Sequence, residues 1–92
     1  MRLHFDPLEE EDVLTISEKE GAHLVLYNDD VNTFDFVIET LIKVCRHERI
    51  QAEQCAYLVH YTGRCSVKNG DRKKLRPMCD ALLDRGLTAA IE

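Results

Sequence analysis

The sequence predicts an α/β domain in which three helices pack on a small three-stranded antiparallel sheet, in the order β-α-α-β-α-β. The 92 residues suit a single domain, and their 45% apolar content is ordinary for a globular protein. Short apolar runs bounded by turn residues alternate with segments whose apolar residues recur at helical spacing. Because such runs occur both early and late in the chain, we expect one sheet covered by helices on one face.

Residues 1–20 are predicted to form a mobile acidic extension of a folded domain at residues 21–92. Residues 9–12 are consecutive acids, and residues 13–16 are strand-like and could add an edge strand or stay loose. The first residues lack the apolar core of a secretory signal, and no apolar run approaches the roughly 20 residues that span a bilayer. A cytoplasmic location without membrane contact is therefore the default expectation.

The folded domain begins with a strand, predicted at residues 23–28, whose side chains are mostly apolar. A polar turn at residues 28–30 follows it. Asn32 is a natural N-cap and Asp35 comes three residues later, close to the capping-box pattern, so a helix is predicted over residues 33–46. Apolar residues recur along it at helical spacing, which predicts one core-facing side.

A second helix is predicted over residues 51–60, after a charged linker at residues 46–49. Small apolar side chains share one of its faces, and Gly63 can supply a left-handed end. Polar and apolar residues then alternate over residues 64–68, as in a short strand. An Asn-Gly pair at residues 69–70 marks the turn that follows.

A third helix is predicted after Asp71, which can cap it, and Gly86 is expected to end it. Pro77 interrupts this segment. Since proline is tolerated only near a helix start, we expect the helix to begin late or to kink. Residues 87–91 are predicted as the last strand.

The four cysteines are predicted to be reduced and mostly buried, where they act as small hydrophobes. They are Cys45, Cys55, Cys65 and Cys79. Nothing else in the sequence indicates secretion, so disulfides, which the even number permits, are the less favoured interpretation. The histidines form no ligand spacing with each other or with the cysteines, so neither a metal nor another cofactor is expected.

Charge is distributed unevenly along the chain. Residues 1–39 contain eleven acids and two bases, a net charge of −9, whereas residues 64–76 contain six bases and one acid, a net charge of +5. The chain as a whole is expected to be repelled from nucleic acid, although the basic segment alone could contact phosphate. A solvated surface is the simpler interpretation of both segments.

A polar cluster is the strongest candidate for a functional site. Asn28, Asp29 and Asp30 form the turn after the first strand, and His60 lies at the end of the second helix. Turn and cap chemistry is the simpler explanation of the first three, and a lone histidine at a helix end is more often structural. If the groups converge, a carboxamide, a carboxylate and an imidazole suit a cationic ammonium group. No nucleophile motif or glycine-rich phosphate loop occurs, so no enzymatic activity is expected.

The sequence around this cluster resembles the ClpS family of Clp protease adaptors. Residues 26–30 read Leu-Tyr-Asn-Asp-Asp, residues 34–37 read Phe-Asp-Phe-Val, and residues 59–63, about 30 residues further on, read Val-His-Tyr-Thr-Gly. The family pattern is N-D-D-x-T-P-M-E-F-V followed by V-H-x-x-G. The two motifs, in this order and at this separation, are specific together, and the resemblance covers residues 23–92.

The resemblance implies an adaptor that binds substrates with a large apolar first residue. It delivers them to the N-terminal domain of a Clp AAA+ unfoldase, ClpA- or ClpC-like. Three residues match those that hold the substrate's free α-amino group: Asn28, Asp29 and His60. Seven match positions that shape or border the side-chain pocket: Asp30, Asn32, Phe34, Val37, Ala56, Val59 and Leu87. Asp29→Ala and His60→Ala are expected to weaken binding with little loss of stability, since both side chains should lie at the pocket mouth.

The start of the third helix matches the region that family members dock on the unfoldase. Asp71 and Lys74 are plausible contacts there. This stretch is several residues shorter than in typical members, and a solvated basic helix start explains each residue equally well. Residues 1–20 match the family's variable N-terminal extension, which in relatives engages the unfoldase.

Four positions depart from the family pattern. Asn32 stands where Thr is common, Thr33 and Phe34 where Pro and Met are common, and Ala56 where a second Met usually narrows the pocket entrance. Alanine opens space there, and Phe34 refills part of it from the other side. The pocket is therefore expected to be reshaped rather than lost, with weaker exclusion of β-branched first residues.

Two other functions remain open on the same fold. One is a protein-interaction module without an amine pocket, as in the C-terminal domain of the ribosomal stalk protein, which resembles ClpS in fold but lacks the paired motifs. The other is a nucleic-acid-binding module that uses residues 64–76, and it predicts salt-sensitive binding of DNA or RNA.

Overall fold

A computed structural model describes residues 21–92 of the chain, which form three strands and three helices. In chain order the elements are β1 (Ala22–Tyr27), α1 (Phe34–Cys45), α2 (Arg49–Thr62), β2 (Arg64–Gly70), α3 (Arg72–Asp84) and β3 (Thr88–Ile91). The predicted fold class and element order are confirmed. The expectations for residues 1–20, including an edge strand at residues 13–16, lie outside the described residues.

The sheet places β1 in the centre, with β2 and β3 antiparallel on its two sides. The last residue of β1, Tyr27, lies opposite Arg64 at the start of β2 and opposite Thr88 at the start of β3. Helix α2 leads directly into β2, and α3 leads into β3. The ends of both helices therefore meet the loop after β1 at one end of the sheet.

The core lies between the sheet and the helices. β1 contributes Leu24 and Leu26, α1 contributes Leu41, and α3 contributes Leu75 and Leu82, all of them buried. Burying one such side chain stabilises the fold by about 1.5–3 kcal/mol, so these five are a main source of stability. Helix α2 joins this core through the small apolar face that its sequence predicts. Among the helices of residues 21–92, none combines the length and apolar content needed to cross a bilayer.

The start of α1 differs from the prediction by one residue. Thr33, not Asn32, is the N-cap: its backbone is extended, and its Oγ1 accepts a hydrogen bond from the Phe36 N–H at 3.1 Å. Both residue types can cap a helix. The Asn32 side chain is instead engaged by partners in the preceding loop and at the end of α3, which sequence spacing does not reveal.

Pro77 lies inside α3, which runs unbroken from Arg72 to Asp84, so the predicted late start is wrong. The Asp71 cap is confirmed, since its Oδ1 accepts a hydrogen bond from the Lys73 N–H at 3.0 Å. Proline removes the donor that would pair with the Lys73 carbonyl. Because Lys73 is exposed, water can satisfy that carbonyl and the helix tolerates the proline.

The segment before α2, predicted as a charged linker at residues 46–49, contains a buried histidine. β2 has a bulge opposite Leu24 and Val25, where Val67 is the extra residue. His47 is 4% exposed, and its Nε2 lies 2.7 Å from the Val67 carbonyl oxygen. A carbonyl oxygen only accepts, so Nε2 carries the proton. The histidine thus satisfies a buried carbonyl where the bulge interrupts the strand pairing.

Candidate binding site at the end of the central strand

Two long-range hydrogen bonds hold the loop after β1 in place. The Asn28 N–H donates to the Gly63 carbonyl oxygen at 3.0 Å, which ties the loop to the end of α2. The Asn32 side-chain amide donates to the Gly86 carbonyl oxygen at 2.9 Å, which ties the loop to the end of α3. Gly63 has a φ of 98°, a conformation that glycine adopts without strain, and it ends α2 beside the loop as predicted.

Asp29 forms the internal framework of this loop. Its Oδ1 accepts hydrogen bonds from the Val31 and Asn32 N–H groups, each at 2.9 Å. Both carboxylate oxygens accept from the Asn32 side-chain amide, at 3.1 and 3.0 Å. The hydrogen bond from the Asn32 backbone lowers the pKa of Asp29 most; burial opposes this shift, and the other hydrogen bonds add to it. The carboxylate is therefore negatively charged at neutral pH while it orders the loop.

A cavity of about 410 Å³ opens between this loop, the two helices α1 and α2, and the residue before β3. Its lining residues are Leu26, Tyr27, Asn28, Asp29, Asp30, Asn32, Phe34, Val37, Ala56, Val59, His60 and Leu87. All ten residues that the sequence nominated for the amine and side-chain sites are among them. The volume lies within the range of small-ligand sites, so one amino-acid residue can enter it.

The cavity has a polar rim and an apolar interior. Ala56 and Val59 are 2% and 5% exposed, so they belong to its buried wall. Asn28 and His60 are exposed, and Asp29 is half-buried, so these three lie toward the surface. A negatively charged rim rich in hydrogen-bond acceptors, beside an apolar interior, suits a ligand that joins an ammonium group to an apolar side chain.

Sequence reasoning missed two residues that line the cavity, Leu26 and Tyr27. The Arg64 guanidinium lies over the Tyr27 ring, 5.3 Å from its centroid, and the Tyr27 hydroxyl donates to the Glu92 carboxylate. Arg64 and Glu92 also form a salt bridge at 2.7 Å. Both missed residues directly precede the polar turn, so their position at the end of the predicted strand is the signal that could have found them.

Two tyrosines that the sequence nominated for neither the amine site nor the side-chain pocket also lie beside the cavity. The Phe34 ring packs edge-on against Tyr57 and His60, with ring centroids 6.1 and 5.9 Å apart. The Tyr61 centroid lies 4.6 Å from that of Tyr57 and 4.7 Å from that of His60. We call Phe34, Tyr57, His60 and Tyr61 the aromatic rim. The helical spacing of the two tyrosines is a usable signal, but the predicted helix ended at residue 60, whereas α2 continues to Thr62.

The two residues nominated for unfoldase docking do not line this cavity. Asp71 caps α3, so its carboxylate already has a structural role. Lys74 is exposed on the first turn of the same helix. The structure thus separates a binding cavity at the end of the sheet from a basic surface at the start of α3.

The four cysteines are free thiols, two of them buried and two half-buried. Burial raises the pKa of Cys45 to about 11, against the opposing effect of Lys68. Burial first, and then the neighbouring Cys65, raise the pKa of Cys55 to about 12. Within residues 21–92, no three His, Cys, Asp or Glu side chains are grouped so that they could hold a metal ion. Cys45 and Cys55 are therefore protonated at neutral pH and serve the core.

The chain is similar to known proteins over most of its length. A family model described as ATP-dependent Clp protease adaptor protein ClpS matches residues 17–90. The ClpS adapter protein of Treponema denticola is 38% identical over 50 residues, which are 54% of this chain and 50% of that protein. The ClpS adapter protein of Campylobacter jejuni is 38% identical over 48 residues, which are 52% of this chain and 50% of that protein. The chain thus matches about half the length of these curated relatives.

A solved structure gives an independent comparison of the fold. Agrobacterium tumefaciens ClpS2, bound to L-phenylalaninamide, matches this chain with a TM-score of 0.68 at 23% sequence identity. The match covers 82% of this chain and 96% of that one. Three antiparallel strands and three helices are therefore an architecture that the two chains share.

Proposed function

Because the chain belongs to the ClpS family of ATP-dependent Clp protease adaptor proteins, we propose that it binds N-degron substrates, proteins marked for degradation by their first residue. It holds the free N-terminal amine and a large apolar first side chain and delivers the substrate to a Clp AAA+ unfoldase, without catalysing a reaction itself. The observation that carries this proposal is a cavity in which a negatively charged rim adjoins an apolar interior.

The polar rim suits a substrate ammonium group in number and kind of partners. An ammonium has three N–H donors, and the Asn28 side-chain oxygen, the Asp29 carboxylate and an unprotonated nitrogen of His60 can each accept one. Asp29 Oδ2 is the oxygen with acceptor capacity left: within residues 21–92 it accepts one hydrogen bond, from the Asn32 side-chain amide, whereas Oδ1 already accepts three. Each hydrogen bond to a charged group contributes about 1.5–3 kcal/mol.

The interior suits the first side chain of the substrate. Burying a leucine or phenylalanine against Val37, Val59 and Leu87 contributes about 1.5–3 kcal/mol. Association costs at least several kcal/mol in lost freedom, so the net affinity is modest. Modest affinity suits an adaptor that must release its cargo. The ligand of Agrobacterium tumefaciens ClpS2, L-phenylalaninamide, has the same two groups, a free α-amine and an aromatic side chain.

Calorimetry with a leucine-first or phenylalanine-first peptide and its N-acetylated twin tests the proposal. Acetylation removes the charge and leaves the polar rim without its partner, so we expect the free peptide to bind at least about tenfold more tightly. Equal binding of the two peptides, or binding of neither, would contradict the proposal. The nucleic-acid alternative predicts binding of DNA or RNA at low salt, which the same instrument can measure.

The first-residue preference depends on Phe34 and Ala56, which both line the cavity. The Phe34 ring packs against Tyr57 and His60 on α2, so it is not devoted only to the space that the small Ala56 side chain leaves. We therefore expect isoleucine-first and leucine-first peptides to bind within about threefold of each other, because one methyl branch is a small difference in a roomy pocket. Ala56→Met should narrow the entrance and restore a preference for leucine. Strong rejection of isoleucine by the unmodified chain would refute the reshaped pocket.

Delivery requires a docking surface, for which the start of α3 is the candidate. Lys74→Ala should weaken binding to the N-terminal domain of a ClpA- or ClpC-like unfoldase without changing the melting temperature, since Lys74 is exposed. Asp71→Ala would confuse docking with loss of the helix cap, whereas Asp71→Asn keeps the cap and removes the charge. If neither Lys74→Ala nor Asp71→Asn changed the affinity for the unfoldase, the start of α3 would not be the docking surface.

A further inference from the structure

The aromatic rim forms a closed set of ring contacts beside the cavity. Phe34 packs edge-on against Tyr57 and His60, and Tyr61 packs against those same two residues, at centroid distances between 4.6 and 6.1 Å. Phe34 and His60 line the cavity, whereas the tyrosines lie on the adjoining face of α2. The rim therefore continues the cavity outward across the helix surface.

These rings are exposed although they are large and mostly apolar. Phe34, Tyr57 and Tyr61 are 39%, 58% and 65% exposed. A contiguous group of exposed aromatic side chains commonly marks a binding surface, and rings that hold one another lose little freedom when a ligand covers them. The rim is thus an ordered apolar surface that residues 21–92 leave uncovered.

The path of a bound substrate leads over this surface. If His60 helps to hold the substrate amine, the Cα atom of the first substrate residue lies about 1.5 Å from the amine nitrogen. The Cα atom of the second substrate residue lies about 3.8 Å beyond the first. The second side chain is then within reach of rings whose centroids are 4.7 and 5.9 Å from the His60 ring, those of Tyr61 and Phe34. The Tyr27 hydroxyl and the Arg64 guanidinium, by contrast, already pair with Glu92.

We propose that the aromatic rim binds the second residue of the substrate and selects for an aromatic or large apolar side chain there. This inference rests on the proposed function, because the occupied cavity fixes where the chain emerges. An acidic second residue is disfavoured, since the carboxylates of Asp29 and Asp30 lie on the same cavity. The chain therefore reads a short N-terminal sequence rather than one residue.

The test compares two free peptides that differ only at their second residue, Leu-Phe and Leu-Ala, against the unmodified chain and the Tyr57→Ala/Tyr61→Ala double variant. We expect the unmodified chain to bind the Leu-Phe peptide roughly fivefold to tenfold more tightly than the Leu-Ala peptide. This is the gain in affinity from one added aromatic contact and the apolar area that it buries. In the double variant the preference should fall below about twofold, while Leu-Ala binding stays within about twofold. The melting temperature of the double variant checks that the exposed substitutions leave the fold intact.

Leu83→Ala is the matched control. Leu83 is also a large apolar side chain that is exposed, at 47%, but it lies on α3 and does not line the cavity. Its removal should leave the preference for Leu-Phe unchanged. Equal binding of the two peptides to the unmodified chain, or a preference for Leu-Phe that persists in the double variant, would overturn this inference but not the proposed function. Failure of both free peptides to bind would overturn the proposed function, and the inference with it.

Discussion

Replacing Asp29 by asparagine separates the two roles of this carboxylate. Asparagine keeps an Oδ1 that can accept hydrogen bonds from the Val31 and Asn32 N–H groups, as Asp29 does at 2.9 Å. It removes the negative charge from the rim of the cavity. It also places two amide groups against each other, because the second carboxylate oxygen accepts from Asn32 Nδ2 at 3.0 Å.

The expected effect on binding is larger than the effect on stability. Losing one hydrogen bond between charged groups costs about 1.5–3 kcal/mol, which is roughly tenfold to 150-fold in affinity. Stability should fall by about 0.5–1.5 kcal/mol, because the two backbone hydrogen bonds of the loop remain. Asp29→Ala removes every acceptor and should cost about 1–2 kcal/mol of stability, as a lost helix cap does. The hydrogen bonds thus revise the expectation from sequence that Asp29→Ala leaves the fold almost unaffected.

Calorimetry with a free phenylalanine-first peptide and urea unfolding, both at pH 7, measure the two effects separately. The pKa of Asp29 is lowered from its usual 3.8, so the stability it contributes is present above that value and is lost as pH falls through the lower folded pKa. Asp35→Asn is the control, since it removes an exposed acid from the first turn of α1 and should change affinity by less than about twofold. Binding by Asp29→Asn within about twofold of the unmodified chain would refute the role of the charge.

Three further predictions concern histidines and thiols. His60→Ala should weaken binding of free peptides by roughly tenfold, and because the ring is exposed it should change stability by less than about 1 kcal/mol. Calorimetry measures the affinity and thermal melting the stability. An unchanged affinity would contradict the role of His60. His47→Ala should cost about 2–4 kcal/mol in urea unfolding, because it opens a buried space and leaves the Val67 carbonyl without its donor. The exposed His23→Ala is its control, and equal losses in the two variants would contradict this assignment. Burial raises the pKa of Cys45 to about 11 from an ordinary 9.0, so the stability it contributes is complete below pH 9 and is lost as pH rises through 11. Urea midpoints at pH 7.5 and 10.5 should therefore differ less for Cys45→Ala than for the unmodified chain, and an equal difference would contradict the burial effect.

Predictions that depend on neighbours in the sequence agree best with the structure. The Asp71 cap, the left-handed Gly63 and the small apolar face of α2 all follow from contacts within one turn. Predictions fail where two local choices are nearly equal. Asn32 and Thr33 are both good caps, and the choice between them falls to the long-range partner that Asn32 finds in Gly86.

Residues far apart in the sequence explain what was missed. His47 is buried because a bulge in β2 presents the Val67 carbonyl to it, and nothing in the local pattern of residues 46–49 indicates a bulge twenty residues later. Tyr57 and Tyr61 become part of a rim beside the cavity because α1 brings Phe34 against Tyr57 and His60, which both contact Tyr61. The roles of the cavity residues in binding stay predictions for the experiments above.

The sequence by itself determined the class of fold, the order of its elements and the family. Hydrophobic periodicity and turn residues act through neighbours in the chain, and the two motifs can be recognised from their residues and their spacing alone. Only the tertiary structure decided which end of the sheet gathers the loop after β1 with the ends of two helices. The physical reason is strand pairing. The register that sets Tyr27 opposite both Arg64 and Thr88 depends on contacts between segments that are distant in the sequence. The alternation of side chains along a strand shows which of them face the core, but it does not show which strand pairs with it.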